Sequence, residues 1–226
     1  MKTFFTFLFI SFSLITFSQN MTNTPFGKGL INVFAKDSSW STKVAFRFQT
    51  RYDGTYDFSD SSFSDKAYVR RARIKGSGNV FTPKISYKFE YDVANGYVLD
   101  AVLKWNFAGN WTVWFGQTKL PGNIERVFSS QKLQLVDRSL LNSRFTLDRD
   151  AGFQLRHHFT IGKSFLIREK IAVSQGEGLN QTVSSKGNGY TARIELLPFG
   201  KFTGKGDYFA SDLKREEKPK LMLSLT

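Results

Sequence analysis

Apolar and polar residues alternate with a period of two along most of this chain. In residues 43–52, an extended backbone would point Val44, Phe46 and Phe48 to one side and Arg47 and Arg51 to the other. The same alternation recurs in residues 84–93 and 97–107. No segment has the convincing i, i+3, i+4, i+7 apolar spacing of an amphipathic helix. The pattern therefore predicts an all-β protein.

Nine segments share this pattern and a tenth begins close to the end of the sequence. They are residues 43–52, 67–78, 84–93, 97–107, 111–118, 151–161, 164–174, 189–197 and 201–209, followed by 220–226. The clearest of them are about ten residues long, whereas strands of soluble proteins usually have about five or six and membrane-spanning β-strands about nine to eleven. The lengths therefore favour strands that cross a membrane.

The connections between these segments predict the architecture. Short ones are expected at residues 79–82, 108–110, 162–163 and 198–200, and the connections between them at 53–65, 94–96, 119–150, 175–188 and 210–220, of which all but 94–96 are long. Short turns at one rim and long loops at the other are typical of outer-membrane β-barrels. We predict an antiparallel transmembrane β-barrel with an apolar outer face and a wet, polar lumen. A soluble β-sandwich with a charged outer face also alternates and remains the alternative.

The first residues have the layout of a secretory signal peptide. Lys2 is followed by an apolar run that ends in small residues, and cleavage is expected between Ser18 and Gln19. The run is shorter than the roughly 20 residues of a spanning helix. We predict a signal peptide at residues 1–18, a periplasmic N-terminal segment at 19–42 and a β-barrel porin domain at 43–226. The chain has no cysteine, which excludes a disulfide scaffold and a lipidated N-terminal cysteine.

The charge balance indicates an anionic partner. The chain has 32 Lys and Arg against 19 Asp and Glu, a formal net charge of +13. A basic protein attracts nucleic acid, acidic lipid or small anions. An exported protein seldom meets nucleic acid, and the basic stretch at residues 70–75 lacks the aromatic platform of a nucleic-acid-binding sheet. Small anions are therefore the expected partner, and nucleic acid is not.

Basic residues outnumber acidic ones in the phase of the predicted strands that faces the lumen. We predict that the pore-lining, anion-binding residues are Arg47, Arg51, Arg71, Arg73, Lys75, Lys84, Lys88, Lys104, Arg156 and Arg168. Lys43, Lys170 and Arg193 share this phase, as do the acidic residues Glu90, Asp92, Asp100 and Glu195. Arg70 falls in the other phase, which indicates either a β-bulge or a position at the membrane interface.

The longest predicted loop, residues 119–150, carries its own set of basic side chains. They are Arg126, Lys132, Arg138, Arg144 and Arg149, and they are candidates for a constriction loop folded into the lumen. The alternative is an exposed loop whose arginines pair with Glu125, Asp137 and Asp148. The sequence leaves both possibilities open.

No catalytic or metal-binding pattern stands out. His157 and His158 are neighbours on a predicted strand, so their side chains point to opposite faces and cannot bind one metal ion. We therefore expect no enzyme activity, no metal and no cofactor.

Six stretches, in this order, carry a resemblance to a known family. They are "RRARI", "KISYKFEYD", "VLDAVLKW", "FGQTKLPG", "SSQKLQLVDRSL" and "RDAGFQL". With them the chain resembles the porin O and P family of phosphate-selective outer-membrane porins. The resemblance implies a sixteen-stranded, homotrimeric barrel with a basic constriction that passes phosphate or pyrophosphate-like anions. Because only nine strands and the start of a tenth precede the final "LMLSLT", we expect the N-terminal part of such a barrel, incomplete at its C-terminus.

Together these observations predict a bacterial outer-membrane porin, in contact with outer-membrane lipid, that conducts phosphate or polyphosphate through a basic lumen. The alternative is a secreted soluble β-domain that binds acidic glycans through a basic strand face.

Overall fold

The protein is an all-β structure built on a single sheet. The structure, a computed structural model, describes residues 31–183 and 187–226. The predicted signal peptide and the beginning of the predicted periplasmic segment lie outside the described residues. Ten antiparallel strands follow one another in chain order, each paired with its sequence neighbours. The all-β prediction is confirmed.

The ten strands differ widely in length. They are β1 Ile31–Phe34, β2 Ser41–Asp57, β3 Ser62–Val80, β4 Thr82–Asp92, β5 Tyr97–Asn106, β6 Trp111–Lys119, β7 Arg149–Ile161, β8 Phe165–Ser174, β9 Gly189–Leu197 and β10 Leu223–Leu225. Two short helices, α1 Ile124–Val127 and α2 Leu140–Arg144, lie between β6 and β7, and a 3-10 segment, Thr203–Tyr208, lies between β9 and β10. In the described part of the chain, no helix has the length and apolar character needed to cross a membrane.

The two faces of the sheet have opposite chemistry. One face, here called the inner face, carries buried polar side chains such as Arg47, Asp100 and Glu195. The outer face carries exposed apolar side chains, among them Phe48, 79% exposed, and Ile171, 55% exposed. Polar burial inside and apolar exposure outside reverse the arrangement of a soluble protein and match a wall that faces lipid. The predicted assignment of the two faces is therefore confirmed for these strands.

The sheet is open at both ends. Among the described residues, β1 pairs with β2 alone and β10 with β9 alone. The two edges therefore each present unpaired backbone groups, which in lipid need a partner strand.

Of the three register shifts between the described strands, two are single-residue β-bulges that shift the alternation. Arg70 is the extra residue between the pairs Gln49–Arg71 and Thr50–Val69, so the bulge explains its phase. Leu99 is the extra residue on β5 and is buried. Beyond it, Tyr97 pairs with the inner-face residue Asp92, so the bulge brings Tyr97 into the phase of the inner face.

The structure corrects two predicted segments and adds one strand. Residues 53–65 are largely strand, and only residues 58–61 connect β2 to β3. Cross-strand pairing of Tyr56 with Phe63 extends this hairpin although Asp, Gly and Ser are frequent in it. Residues 201–209 are not a strand, because Gly204 and Lys205 have positive φ angles of 60° and 62° there. Strand β1 was not predicted.

With these corrections, one long connection lies at the rim for which only short turns were predicted. Residues 58–61, 93–96, 120–148, 175–183 and 187–188 lie at one rim, the loop rim. Residues 35–40, 81, 107–110 and 162–164 lie at the other, the turn rim. The connection from β9 to β10, residues 198–222, also starts at the turn rim and is long. The prediction that only short turns lie there was therefore wrong at this one position.

Candidate functional site

The connection between β6 and β7, residues 120–148 and here called the inner loop, packs against the inner face. Arg47 on β2 donates to Ser130 Oγ at 2.8 Å. Arg193 on β9 donates to the carbonyl of Gly122 at 2.7 Å. Because strands at opposite ends of the sheet hold the same loop, the sheet curves around it.

Two partly buried cations hold the loop in its bent form. Lys119 Nζ donates to the carbonyls of Arg126 at 2.8 Å, Val127 at 3.2 Å and Phe128 at 2.7 Å. Arg138 donates to the carbonyl of Glu125 at 3.0 Å and to that of Phe128 at 2.9 Å. These carbonyls at the end of α1 have no next helical turn to bond to, so the two cations satisfy them. Lys119 thus positions the loop.

The two predicted arrangements were a loop folded into the lumen and an exposed loop with internal ion pairs. The acidic residues of the loop differ in which of the two their contacts support. Asp148 pairs with Arg126 within the loop, as the exposed-loop alternative expected. Asp137 instead pairs with Arg51 of β2 and Arg70 of β3. Glu125 accepts from Ser139 at the start of α2 rather than from an arginine side chain. The contacts of Asp137 with the strands place the loop against the inner face.

A first cavity of about 540 Å³ lies between the inner loop and the strands on the loop-rim side. It brings together seven predicted site residues: Arg71, Arg73, Lys75, Lys88, Arg126, Arg138 and Arg149. It also contains polar residues that the sequence analysis did not select, namely Arg70, Tyr97, Lys119, Ser129 and Ser130. Glu90 and Asp148 are the acidic lining residues.

Several cations around the first cavity are neutralised by acidic residues of β4 and β5. Arg73 donates to Asp92 at 2.9 Å and to Glu90 at 3.1 Å. Lys88 lies 2.8 Å from Asp100 and 3.3 Å from Glu90. Lys75 is 3.7 Å from Glu90, and Arg149 is 3.2 Å from Asp100. The strand part of this basic set is therefore much less positive than its count of Lys and Arg suggests.

Other lining groups keep hydrogen-bond donors available. Arg71 donates to the neutral amide oxygen of Gln49 at 2.7 Å. The Nε groups of Arg70, Arg126 and Arg149 are buried and have no hydrogen-bond partner among the described residues. Buried donors are normally satisfied, so these three N–H groups lack the partner that buried polar atoms usually have.

Burial and mutual repulsion affect the loop arginines. Burial, together with the charges of Arg138 and Arg149, lowers the pKa of Arg126 to about 10. Burial also lowers the pKa of Arg138. For Asp137, burial opposes ionisation, but the hydrogen bond from Arg51 and the charge of Arg70 outweigh it and lower the pKa. At neutral pH, Arg126 is therefore cationic and Asp137 anionic.

A second cavity of about 170 Å³ lies on the turn-rim side of the start of the inner loop. Lys88, Lys119 and Val127 line both cavities. Within the second cavity, Trp114 lies between two predicted site residues: Lys104 Nζ is 4.0 Å and Arg156 Cζ 3.4 Å from its ring. Cation–π contact holds both charges at the indole while leaving them uncompensated by a carboxylate.

Cations of β8 and β9 form a separate cluster. Arg168, Lys170 and Arg193 all bond to Glu195, which is fully buried. Arg168 also pairs with Asp207 from the β9–β10 connection. Tyr208 from the same connection accepts from Lys170 at 2.8 Å and donates to Glu195 at 3.1 Å. Burial and the charge of Glu195 raise the pKa of Tyr208, so its hydroxyl keeps its proton.

The remaining predicted residues lie away from both cavities. Arg47 and Arg51 contact the inner loop, and Lys132 lies 3.7 Å from the ring of Phe209. Lys84 is exposed near the turn rim, and Arg144 is exposed at the end of α2. The structure thus gathers part of the predicted basic set and leaves these two at the surface.

The cavity-lining residues that the sequence analysis did not select had weak or ambiguous sequence patterns. Arg70 was out of phase, and the adjacent arginines of "RRARI" could have indicated a bulge that brings both to one cavity. Ser129 and Ser130 follow a short helix that no periodicity predicts. Their approach to the inner face depends on Lys119 and Arg47.

Comparison with known proteins agrees with this geometry. A family model for phosphate-selective porin O and P matches residues 43–205, well over half of the chain. The chain belongs to this family. The family assignment made from the sequence is therefore confirmed. No curated protein sequence matches the chain.

As a member of the porin O and P family, the chain is in general a phosphate-selective outer-membrane porin, and the family is one of channels rather than enzymes. The alternative of a secreted glycan-binding domain is not supported. It required the basic strand residues to form an exterior patch, whereas Arg47 and Arg73 are on the inner face.

Proposed function

We propose that this porin conducts small phosphate-like anions along its inner face, and that the first cavity is the selective narrowing of the path. The observation that carries the proposal is the position of the inner loop. It brings Arg126 and Arg138 into one cavity with Arg70 and Arg71 of β3. Four arginines from two separate elements then surround one water-filled space.

The lining chemistry suits phosphate. Guanidinium groups bind phosphate oxygens through charge-assisted hydrogen bonds, and the hydroxyls of Ser129 and Ser130 add neutral donors. A single cation at about 5 Å attracts a monovalent anion by only about 0.8 kcal/mol in water, or about fourfold in local concentration. Several cations together enrich the anion usefully.

The acidic residues of β4 and β5 limit this attraction. Glu90 and Asp100 pair with lysines and arginines that would otherwise add to the field. Conduction requires an anion to leave as well as to enter, so a moderate field favours flux over trapping. We infer that the paired cations, among them Arg70 and Arg126, tune the affinity, while Arg71 contacts the ion.

The working assembly needs more than the described sheet. The free edges of β1 and β10 must gain partner strands before a pore can hold in lipid. We infer that the closed protein is a homotrimer in the outer membrane, exported by residues 1–18. The preferred anion is proposed to be phosphate.

The test uses the protein extracted from native outer membranes and inserted into planar bilayers. Under a KCl gradient, the zero-current potential should show preference for chloride over potassium. Inorganic phosphate added to one side should then reduce the chloride current in a saturable way, because it occupies the same cavity. The exposed-site variant Lys84→Gln should behave like the unaltered protein. Cation preference, or a chloride current indifferent to phosphate, would overturn the proposal.

A further inference from the structure

The long β9–β10 connection, residues 198–222 and here called the strap, enters the inner space from the turn rim. It is tied to itself by Thr203 with Glu216 and by Lys220 Nζ with the carbonyl of Phe199 at 2.7 Å. Asp207 of the strap is buried against the β8–β9 cluster. The strap is therefore anchored to the inner face, in contrast to a connection that crosses the surface of a rim.

The strap also meets the inner loop, which enters from the opposite rim. The backbone N–H of Ala210 donates to the carbonyl of Lys132 at 2.9 Å. The ammonium group of Lys132 lies 3.7 Å from the centre of the Phe209 ring. Two segments from opposite rims thus join inside the molecule, at Lys132.

The second cavity lies between the start of the inner loop and Lys170, a wall residue that contacts the strap. Leu120, Pro121 and Val127 of the inner loop line one side. Lys170, whose amine is held by the Tyr208 hydroxyl, lines another. With about 170 Å³, this cavity has room for roughly five or six water molecules. A single phosphate group is comparable in size to a few waters, whereas tripolyphosphate is several times longer.

We propose that the strap is a second narrowing in series with the inner loop, and that it excludes long polyphosphates while single phosphate ions pass. Asp207 and Tyr208 anchor it to the wall, and Phe209 and Ala210 join it to the loop. This inference rests on the proposed function of the pore. The family match ends at residue 205, so all four of these residues lie beyond the matched segment.

The first test releases the anchors. The variant Asp207→Asn with Tyr208→Phe removes the ion pair of the strap with Arg168 and the hydroxyl hydrogen bonds with Lys170 and Glu195. In protein from native outer membranes, permeation of tripolyphosphate relative to inorganic phosphate should rise about twofold or more, because pore diameter selects what passes. Currents are measured in about 1 M salt, where the Debye length is about 3 Å and a lost charge has little reach. Glu217→Gln, an equal charge change on an exposed strap residue, should change nothing.

The second test fixes the strap to the loop. The chain has no cysteine, so Lys132→Cys with Ala210→Cys introduces the only pair. A backbone hydrogen bond between two residues brings their Cα atoms close to the separation that a disulfide spans. Oxidation should crosslink this pair and leave the matched pair Lys132→Cys with Glu217→Cys open. In the anchor-release background, oxidation should restore the original exclusion of tripolyphosphate, and a reductant should abolish it again.

The outcomes separate the strap from the pore itself. A protein that prefers anions but shows no change on release of the strap, or no crosslink at Lys132 and Ala210, overturns the strap proposal alone. A protein without anion conduction overturns the proposed function, and the role of the strap with it. If the release variant fails to insert, the cysteine pair in the unaltered background still decides whether strap and loop meet.

Discussion

The first cavity and the β8–β9 cluster differ in how their cations are used, although both arise from basic residues at alternate strand positions. Around the first cavity, Arg71 bonds to a neutral amide and has no carboxylate partner among the described residues, whereas Arg70 and Arg126 each pair with one carboxylate of the inner loop. In the β8–β9 cluster, Arg168, Lys170 and Arg193 surround the fully buried Glu195. We propose that the first region attracts anions and that the second holds the wall and strap together.

The difference shows that counting basic residues on one face does not measure the field in the lumen. A salt bridge removes most of the long-range effect of its charges, whereas an arginine bonded to a neutral amide keeps its full charge. Arg168, predicted as pore-lining, belongs to the first kind, and Arg71 to the second. Substitutions in the two regions should therefore affect different measurements.

The largest effect is expected from Glu195→Gln. This change leaves Arg168, Lys170 and Arg193 with Asp207 as their one remaining acidic partner among the contacts described. Breaking a buried ionic network by removing one partner costs roughly 3–5 kcal/mol. We expect unfolding in detergent at a clearly lower guanidinium concentration, measured by tryptophan fluorescence. An unchanged unfolding midpoint would show that the ion pairs of this cluster contribute no more to stability than those around the first cavity.

A smaller effect, on selectivity rather than stability, is expected from Arg71→Gln. One cation at about 5 Å changes the local anion concentration about fourfold, so the zero-current potential should fall measurably at low salt. The unfolding midpoint should stay close to that of the unaltered protein, since glutamine can still bond to Gln49. Arg144→Gln, at an exposed loop position, is the matched control. Equal selectivity in the two variants would remove Arg71 from the proposed ion path.

The smallest effect is expected from Asp137→Asn, which weakens the attachment of the inner loop to β2 and β3. The carboxylate is partly exposed, so its ion pairs contribute at most about 1 kcal/mol. We expect noisier single-channel currents with anion preference retained, recorded at neutral pH in planar bilayers.

The same contact predicts the pH dependence of the loop. Because the pKa of Asp137 lies below its ordinary value of 3.8, its pairing is fully present above that pH and is lost as the pH falls through the lowered value. Current noise of the unaltered protein should therefore stay constant from neutral pH to about pH 4 and rise only below it. A rise in current noise already near pH 6 would show that a group other than Asp137 attaches the loop to the strands.

Much of the wall was predictable because it depends on local alternation. The faces of β2, β4, β7 and β8 follow from a period of two, since each strand must place apolar side chains outward and polar ones inward. The interruption of that period at Arg70 was also visible, although the sequence could not distinguish a bulge from an interfacial position. The prediction of a loop at residues 53–65 was wrong, because it gave more weight to their turn-forming composition than to the aromatic pair of Tyr56 and Phe63.

The sequence by itself determined the all-β class, the two faces and the excess of basic residues on one of them, because these depend on neighbours along the chain. Only the tertiary structure decided which cations are neutralised, since Asp100 meets Arg149 across 49 positions and Arg168 meets Asp207 across 39. It also decided that the inner loop and the strap meet at Lys132 and Ala210. Such contacts join segments far apart in sequence, and the local alternation that specifies each strand carries no information about them.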